Sequence, residues 1–137
     1  MTAGPIAADD IRLLGVDDIG DPGARGCRVG ASDWPLELFL VRRGAAVWGY
    51  VNRCPHAGHQ LNWLPDRFLS RDRRLIQCAS HGAQFELATG RCVAGPCVGR
   101  SLQSVPLEVR PDGIFIAQQT LEMLLPRPPP GAAPASG

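Results

Sequence analysis

Two short cysteine–histidine pairs constrain this chain more than anything else in it. They are C-x-H at Cys54-Pro55-His56 and C-x-x-H at Cys78-Ala79-Ser80-His81. Four soft or borderline ligands at two short spacings make a metal site. Thiolates suit zinc and iron–sulfur clusters, and imidazole suits zinc, copper and iron, so ligand identity by itself leaves a tetrahedral zinc ion and a two-iron cluster both open. The surrounding residues favour the cluster. Each pair lies in a loop of small residues, CPHAGH and CASHG, where Gly58 and Gly82 let the main chain pass close to a bound group with no Cβ in the way. Bridging sulfides take hydrogen bonds from backbone N–H groups, whereas a bare zinc ion takes none.

The pattern extends well beyond the four ligands. Twenty-one residues separate the two pairs, the second pair is followed by Gly82 and then by the F-E-L-x-T-G of residues 85–90, and Gly95-Pro96 comes after. On these residues the chain resembles the Rieske [2Fe–2S] proteins over residues 25–118. In a Rieske centre two histidines replace two cysteines on one iron. The resemblance implies that Cys54 and Cys78 bind one iron as thiolates and that His56 and His81 bind the other, with one cluster per chain. It also implies an all-β fold, an antiparallel β-sandwich carrying a small cluster-binding subdomain. Its loops would span residues 54–59 and 78–83, with Gly95-Pro96 in a loop that covers the cluster and excludes water.

The same resemblance bears on redox potential. High-potential members of the family carry a second cysteine in each ligand loop and join the two as a disulfide; His59 and Ser80 occupy those positions here. They also aim a serine and a tyrosine hydroxyl at cluster sulfurs, where this chain has Ala83 and Phe85. Donors to the sulfurs stabilise the reduced, more negative state, so their absence predicts a low potential, about −150 mV, at the bottom of the Rieske window.

Length and composition bound the function. A chain of 137 residues makes one domain with loose ends. Oxygenases that resemble it add a second domain with a mononuclear iron in a two-histidine, one-carboxylate triad. Beyond the two proposed ligands the chain has a single histidine, His59, read as an exposed polar residue, so that triad cannot be assembled. The expectation is an electron-transfer component and not a catalyst: a ferredoxin taking single electrons from a flavin-dependent reductase to a separate oxygenase, monomeric, with weak and brief docking. The alternative is a small non-catalytic subunit, used for structure or assembly in a reductase or oxygenase complex.

A net charge of +1 with 20% charged residues makes no case for nucleic acid or an anionic membrane. The start, MTAGPIAADDIRLL, has neither a basic head nor a long apolar run, which predicts no secretory signal, no membrane anchor and a cytoplasmic chain. A reducing compartment would keep Cys27, Cys92 and Cys97 as thiols. Cys92 and Cys97 flank the Gly95-Pro96 loop and are read as small buried hydrophobes, not further ligands.

In chain order, residues 1–24 read as a lead-in with one short strand or turn. Strands are expected at residues 26–29, 36–41, 45–51, 75–77 and 84–87. The insert at residues 61–75 holds Trp63, Phe68 and the charged run from Ser70 to Arg74, and reads as a solvated turn with its aromatics tucked inward in preference to the alternative, a partner-docking surface beside the cluster. Residues 91–100 read as loop. Residues 102–109 alternate with Val105, Leu107 and Val109 on one face and form a closing hairpin with residues 114–116. Residues 119–137 form a C-terminal extension, briefly helical around residues 118–125 and, in the proline-rich stretch from 126, too poor in apolar residues to order.

Overall fold

The computed structural model describes residues 10–30, 35–55, 60–62, 66–79 and 82–125. In chain order these form β1 (Ile11–Leu14), a 3₁₀ turn (Val16–Asp18), β2 (Gly23–Val29), β3 (Leu36–Arg43), β4 (Ala46–Val51), β5 (Leu75–Gln77), β6 (Gln84–Glu86), β7 (Cys92–Ala94), β8 (Ser104–Val105), β9 (Glu108–Arg110), β10 (Gly113–Ile116) and α1 (Gln118–Leu124). The strands make three antiparallel sheets, ordered β1-β10-β9, β2-β3-β4-β8 and β5-β6-β7. The fold is therefore all-β, and the expected strands at 26–29, 36–41, 45–51, 75–77 and 84–87 are in place. No helix among the described residues is long and apolar enough to cross a membrane.

The β3 strand organises the molecule. Its sequence, LELFLVRR, is apolar at nearly every inner position, and side chains of a strand alternate between faces. Leu36, Leu38 and Leu40 enter a hydrophobic cluster with Ile19, Val105, Ile114, Ile116 and Leu121, which packs the β1-β10-β9 sheet and α1 against the central sheet. Phe39 and Val41 enter the other cluster, with Tyr50, Phe68, Ile76, Phe85 and four of the five cysteines, which packs the small β5-β6-β7 sheet on the opposite side. A strand covered on both faces reads as a continuous apolar run because neither face meets water.

The lead-in joins the first of these cores through β1, which pairs with β10, and through Ile19, which is fully buried. Asp10 is tied to the far hairpin by Arg110, whose Nη2 lies 2.8 Å from Asp10 and 3.0 Å from Glu108 while the guanidinium stacks over Phe115.

Two sequence readings need correction. Residues 91–100 are not all loop, because Cys92–Ala94 pairs with β6 and Arg91 bridges to Ser101. Residues 102–109 are not one alternating strand. Pro106 cannot donate to a ladder, and the segment divides there into β8, on the edge of the central sheet, and β9, in the other sheet. Val105 is buried while Val109 is 46% exposed, so the two do not share an inward face. The expected closing hairpin survives as β9–β10, and the short helix is α1. The proline-rich stretch from residue 126 lies outside the described residues.

Candidate metal centre

The first ligand loop leaves β4 at Asn52, and Asn52 closes its base. The Asn52 side chain accepts a hydrogen bond from the Leu61 N–H (2.8 Å) and donates one to Asn62 Oδ1 (2.9 Å). The Asn52 N–H reaches the Glu37 carbonyl at 2.9 Å, which fixes this junction to β3. One side chain thus joins the residues before Cys54 to those where the loop returns.

The second loop is a tight connection between β5 and β6. The Cys78 N–H donates to the Ala83 carbonyl (2.8 Å) and the Gly82 N–H to the Cys78 carbonyl (3.0 Å). Gly82 sits at φ +70°, a left-handed conformation that glycine adopts without steric cost. The two loops are also bonded to each other, since the Ala79 N–H donates to the Leu61 carbonyl at 2.7 Å. The segment after β7 closes over the second loop. Gly95, at φ +91°, lies so near that a Cβ added to it would stand 2.8 Å from the Ala83 Cα.

These elements bury the two expected thiolate ligands: Cys54 is 1% exposed and Cys78 fully enclosed. None of the five cysteines is in a disulfide. His56 and His81, the other two expected ligands, lie outside the described residues, as do His59, Ser80 and Trp63. Among the described residues no three His, Cys, Asp or Glu side chains gather into a common site. All four cysteines of this core are described, so Cys92 and Cys97 do not complete an all-thiolate set with Cys54 and Cys78. Two buried thiols on interlocked loops, each loop continuing into a histidine, form a donor set that fits a mixed sulfur and nitrogen cluster.

Cys92 turns its thiol to the Ala94 carbonyl, 3.2 Å away on its own strand. Cys97 differs: its Sγ lies 3.9 Å from Cys54 Sγ inside the core. Neighbouring Arg100 donates from Nη1 to the Pro55 carbonyl at 2.9 Å, so the covering turn is anchored to the middle of the C-x-H motif. Sequence reasoning missed the placing of Asn52, Cys97 and Arg100. Only Cys97 left a signal, as a cysteine next to the Gly95-Pro96 pair.

The positions that lack hydroxyls, Ala83 and Phe85, are both fully buried in this core. The one tyrosine is Tyr50, whose hydroxyl donates to the Leu87 carbonyl at 2.6 Å. Burial, and then the nearby Glu86 carboxylate, push its pKa up to about 12.

Charge is distributed unevenly along the chain. Between residues 53 and 100 there are seven arginines against three acids; the rest of the chain has seven arginines against ten acids. The seven are Arg53, Arg67, Arg71, Arg73, Arg74, Arg91 and Arg100, and all are exposed. Among the described residues the ion pairs within 4 Å belong to Arg25, Arg28, Arg42 and Arg110, and none of the seven forms one. Of the two acids in the insert, Asp66 is engaged by Arg25 at 3.4 Å and by the Gly26 N–H at 2.8 Å, and Asp72 accepts from the Ser70 hydroxyl (2.7 Å) and the Arg74 N–H (3.1 Å), while these bonds and then the Arg74 charge hold its carboxyl below the usual range.

Three antiparallel sheets, with two buried cysteines on interlocked loops, make an all-β protein of two cores, one of them rich in thiols. The family model of the Rieske [2Fe-2S] domain matches residues 13–111, and the chain belongs to that family. No curated protein matches the chain by sequence. Among solved structures it is similar to the ferredoxin of carbazole 1,9a-dioxygenase from Nocardioides aromaticivorans IC177, with 24% identity, TM-score 0.61, and coverage of 80% of this chain and 98% of that one. It is equally similar to a Sphingomonas yanoikuyae B1 ferredoxin, with 23% identity, TM-score 0.61 and the same coverage. A chain in a complex of reduced oxygenase and oxidized ferredoxin in carbazole 1,9a-dioxygenase matches with 21% identity, TM-score 0.62, and coverage of 82% and 95%. At these identities the likeness is one of fold.

Proposed function

We propose that this protein is a low-potential, single-electron carrier whose [2Fe–2S] cluster, one per chain, is held by Cys54 and Cys78 on one iron and by His56 and His81 on the other. It would carry electrons from a flavin-dependent reductase to a separate oxygenase, as a monomer in the cytoplasm, without being a catalyst by itself. The observation that carries the reading is the placement of Cys54 and Cys78, both buried, on two loops hydrogen-bonded to each other through Ala79 and Leu61. Membership of the Rieske family supports the cluster type, and near-complete coverage of ferredoxin-sized neighbours supports the carrier role.

A cluster so held accepts and releases one electron at a time at a potential set by its ligands and their hydrogen-bond donors. The chain's own contribution is positional. Asn52 holds the base of the first loop, the Cys78–Ala83 turn shapes the second, and the Gly95 backbone lies against the second loop and keeps water from the thiol side. Ala83 and Phe85 offer no hydroxyl to the sulfurs, which supports a potential of about −150 mV.

The test is the electron paramagnetic resonance spectrum of dithionite-reduced protein, with a redox titration. Mixed nitrogen and sulfur ligation lowers the average g-value below that of an all-thiolate cluster. We expect that spectrum from the wild type, its loss in His81→Ala, and a midpoint below zero. An intact spectrum in His81→Ala, a colourless zinc protein or a positive midpoint each overturns part of the assignment. The carrier should also purify as a brown monomer; firm co-purification with a larger enzyme would favour a fixed subunit.

A further inference from the structure

We infer that Cys97 is the resolving thiol of Cys54: once Cys54 has given up its iron to an oxidant, the two sulfurs join as a reversible disulfide, and Cys54 is spared conversion to a sulfinic acid. The inference rests on the carrier reading above, in which Cys54 binds iron, and adds a redox control on rebuilding the site. It joins a ligand to the covering turn. The disulfide of high-potential Rieske proteins instead joins the two ligand loops, at the positions that His59 and Ser80 occupy here.

Three observations support it. The Cys54 and Cys97 sulfurs lie 3.9 Å apart, although 43 positions separate the residues in the chain. Both side chains are buried, so a soluble thiol must enter the core to reach Cys54, whereas Cys97 is already beside it. The covering turn is fixed on either side of Cys97: Gly95 lies against Ala83 of the second loop, and Arg100 donates to the Pro55 carbonyl at 2.9 Å. Within the turn the Arg100 N–H closes on the Cys97 carbonyl at 2.8 Å. The approach of the two sulfurs is therefore built into the fold. Cys92, in the same core, directs its thiol to the Ala94 carbonyl instead. A disulfide bond of about 2.05 Å requires the sulfurs to close by roughly 2 Å, a shift that side-chain rotation supplies.

The step balances with a hydroperoxide as oxidant. Hydrogen peroxide gives one oxygen to the Cys54 sulfur; its O–O bond breaks, water leaves and a sulfenic acid forms. The Cys97 sulfur then attacks that sulfur, the S–S bond forms as the S–O bond breaks, and hydroxide departs with the Cys97 proton as a second water. Two thiols have lost two electrons and two hydrogens, and the peroxide has become two waters. Hydrogen peroxide is little larger than water, so the local opening that lets iron leave also lets it in. While bonded to Cys97, Cys54 cannot bind iron, and rebuilding waits for a reductant. In a reducing compartment such a disulfide is transient. Without a neighbouring thiol, the sulfenic acid is open to a second oxidation, to a sulfinic acid that thiols do not reverse.

The test treats the cluster-loaded, full-length protein with excess hydrogen peroxide and maps its tryptic peptides by mass spectrometry. A second portion receives dithiothreitol and then iron and sulfide, and the recovered cluster is read from its absorbance. Wild type should give the peptide of residues 54–67 linked to that of residues 92–100, and should recover most of its cluster. Cys92→Ala should give the same link, which assigns it to Cys97. Cys97→Ala should give no link, a Cys54 peptide heavier by two oxygens, and loss of most of the recovery. Cys97→Ser, nearly the same in size, should behave as Cys97→Ala does, which separates the missing thiol from a packing defect. A Cys54–Cys78 link in wild type, an unlinked Cys54, or recovery in Cys97→Ser equal to that of wild type overturns the proposal. Protein that takes up no cluster before any oxidant overturns the carrier reading, and the peptide map of that same sample still decides whether Cys97 resolves Cys54.

Discussion

Cys97 shows how a single thiol outside the proposed ligand set can bear on the site. Its Sγ lies 3.9 Å from that of Cys54, within the range of a sulfur–sulfur hydrogen bond. With Cys54 as a thiolate ligand, only Cys97 carries the hydrogen, so it is the donor. An S–H group is a weak donor, and a weak hydrogen bond is worth about 0.5 kcal/mol. For a one-electron couple that is about 20 mV. Cys97→Ala is therefore expected to keep the cluster and its mixed-ligand spectrum while lowering the midpoint by about 20 mV. Cys92→Ala, whose thiol turns to the Ala94 carbonyl, should leave the midpoint in place. Loss of the cluster in Cys97→Ala would make that residue a ligand and refute the four-ligand set.

Among the elements, the insert between the ligand loops decides how firmly the second loop is held. Phe68 is 1% exposed and stacks on Phe39 of β3, with ring centroids 4.4 Å apart and planes 6° from parallel. The Phe68 carbonyl accepts from the Gln77 N–H at 2.8 Å, immediately before Cys78. The aromatic stack therefore supports the strand that delivers Cys78, a proposed ligand. Phe68→Ala should cost about 3–5 kcal/mol in a denaturation experiment and also slow cluster retention during dialysis. Stability lost with retention unchanged would separate the core from the site. The charged turn in the same insert, residues 70–74, is solvated as its sequence suggests: residues 71–74 are exposed, and the Ser70 hydroxyl and the Arg74 N–H close the turn on Asp72.

At the scale of the whole molecule, the two hydrophobic clusters share no residue and meet only across the central sheet. The four cysteines near the site all lie in one of them. Removing iron with a chelator is accordingly expected to speed amide hydrogen exchange in β5, β6 and β7 while β1, β9 and β10 keep their protection. Equal loosening of both halves would mean that the metal supports the entire fold. Charge divides along the chain as well, with seven arginines against three acids between residues 53 and 100 and the excess of acids elsewhere, although net charge for the whole chain is only +1.

The sequence by itself determined what depends on local spacing. The two cysteine–histidine pairs, the small residues around them, the Gly95-Pro96 pair and the strands with strong β-branched or apolar runs were all legible, because ligand spacing, turn chemistry and strand period are short-range properties. The tertiary structure decided what depends on partners distant in the chain. It divided the apolar run of β3 between two cores, since an unbroken run carries no mark of which face meets which sheet. It made a strand of Cys92–Ala94, which has β6 beside it but no periodicity of its own, and it cut residues 102–109 at Pro106 into different sheets. It brought Cys97 to Cys54, 43 positions earlier, and Arg100 to Pro55, and left seven arginines without acids to pair with among the described residues. Charge totals and residue order do not encode such proximities; they arise only when burial of the two cores fixes how the sheets and loops lie against one another.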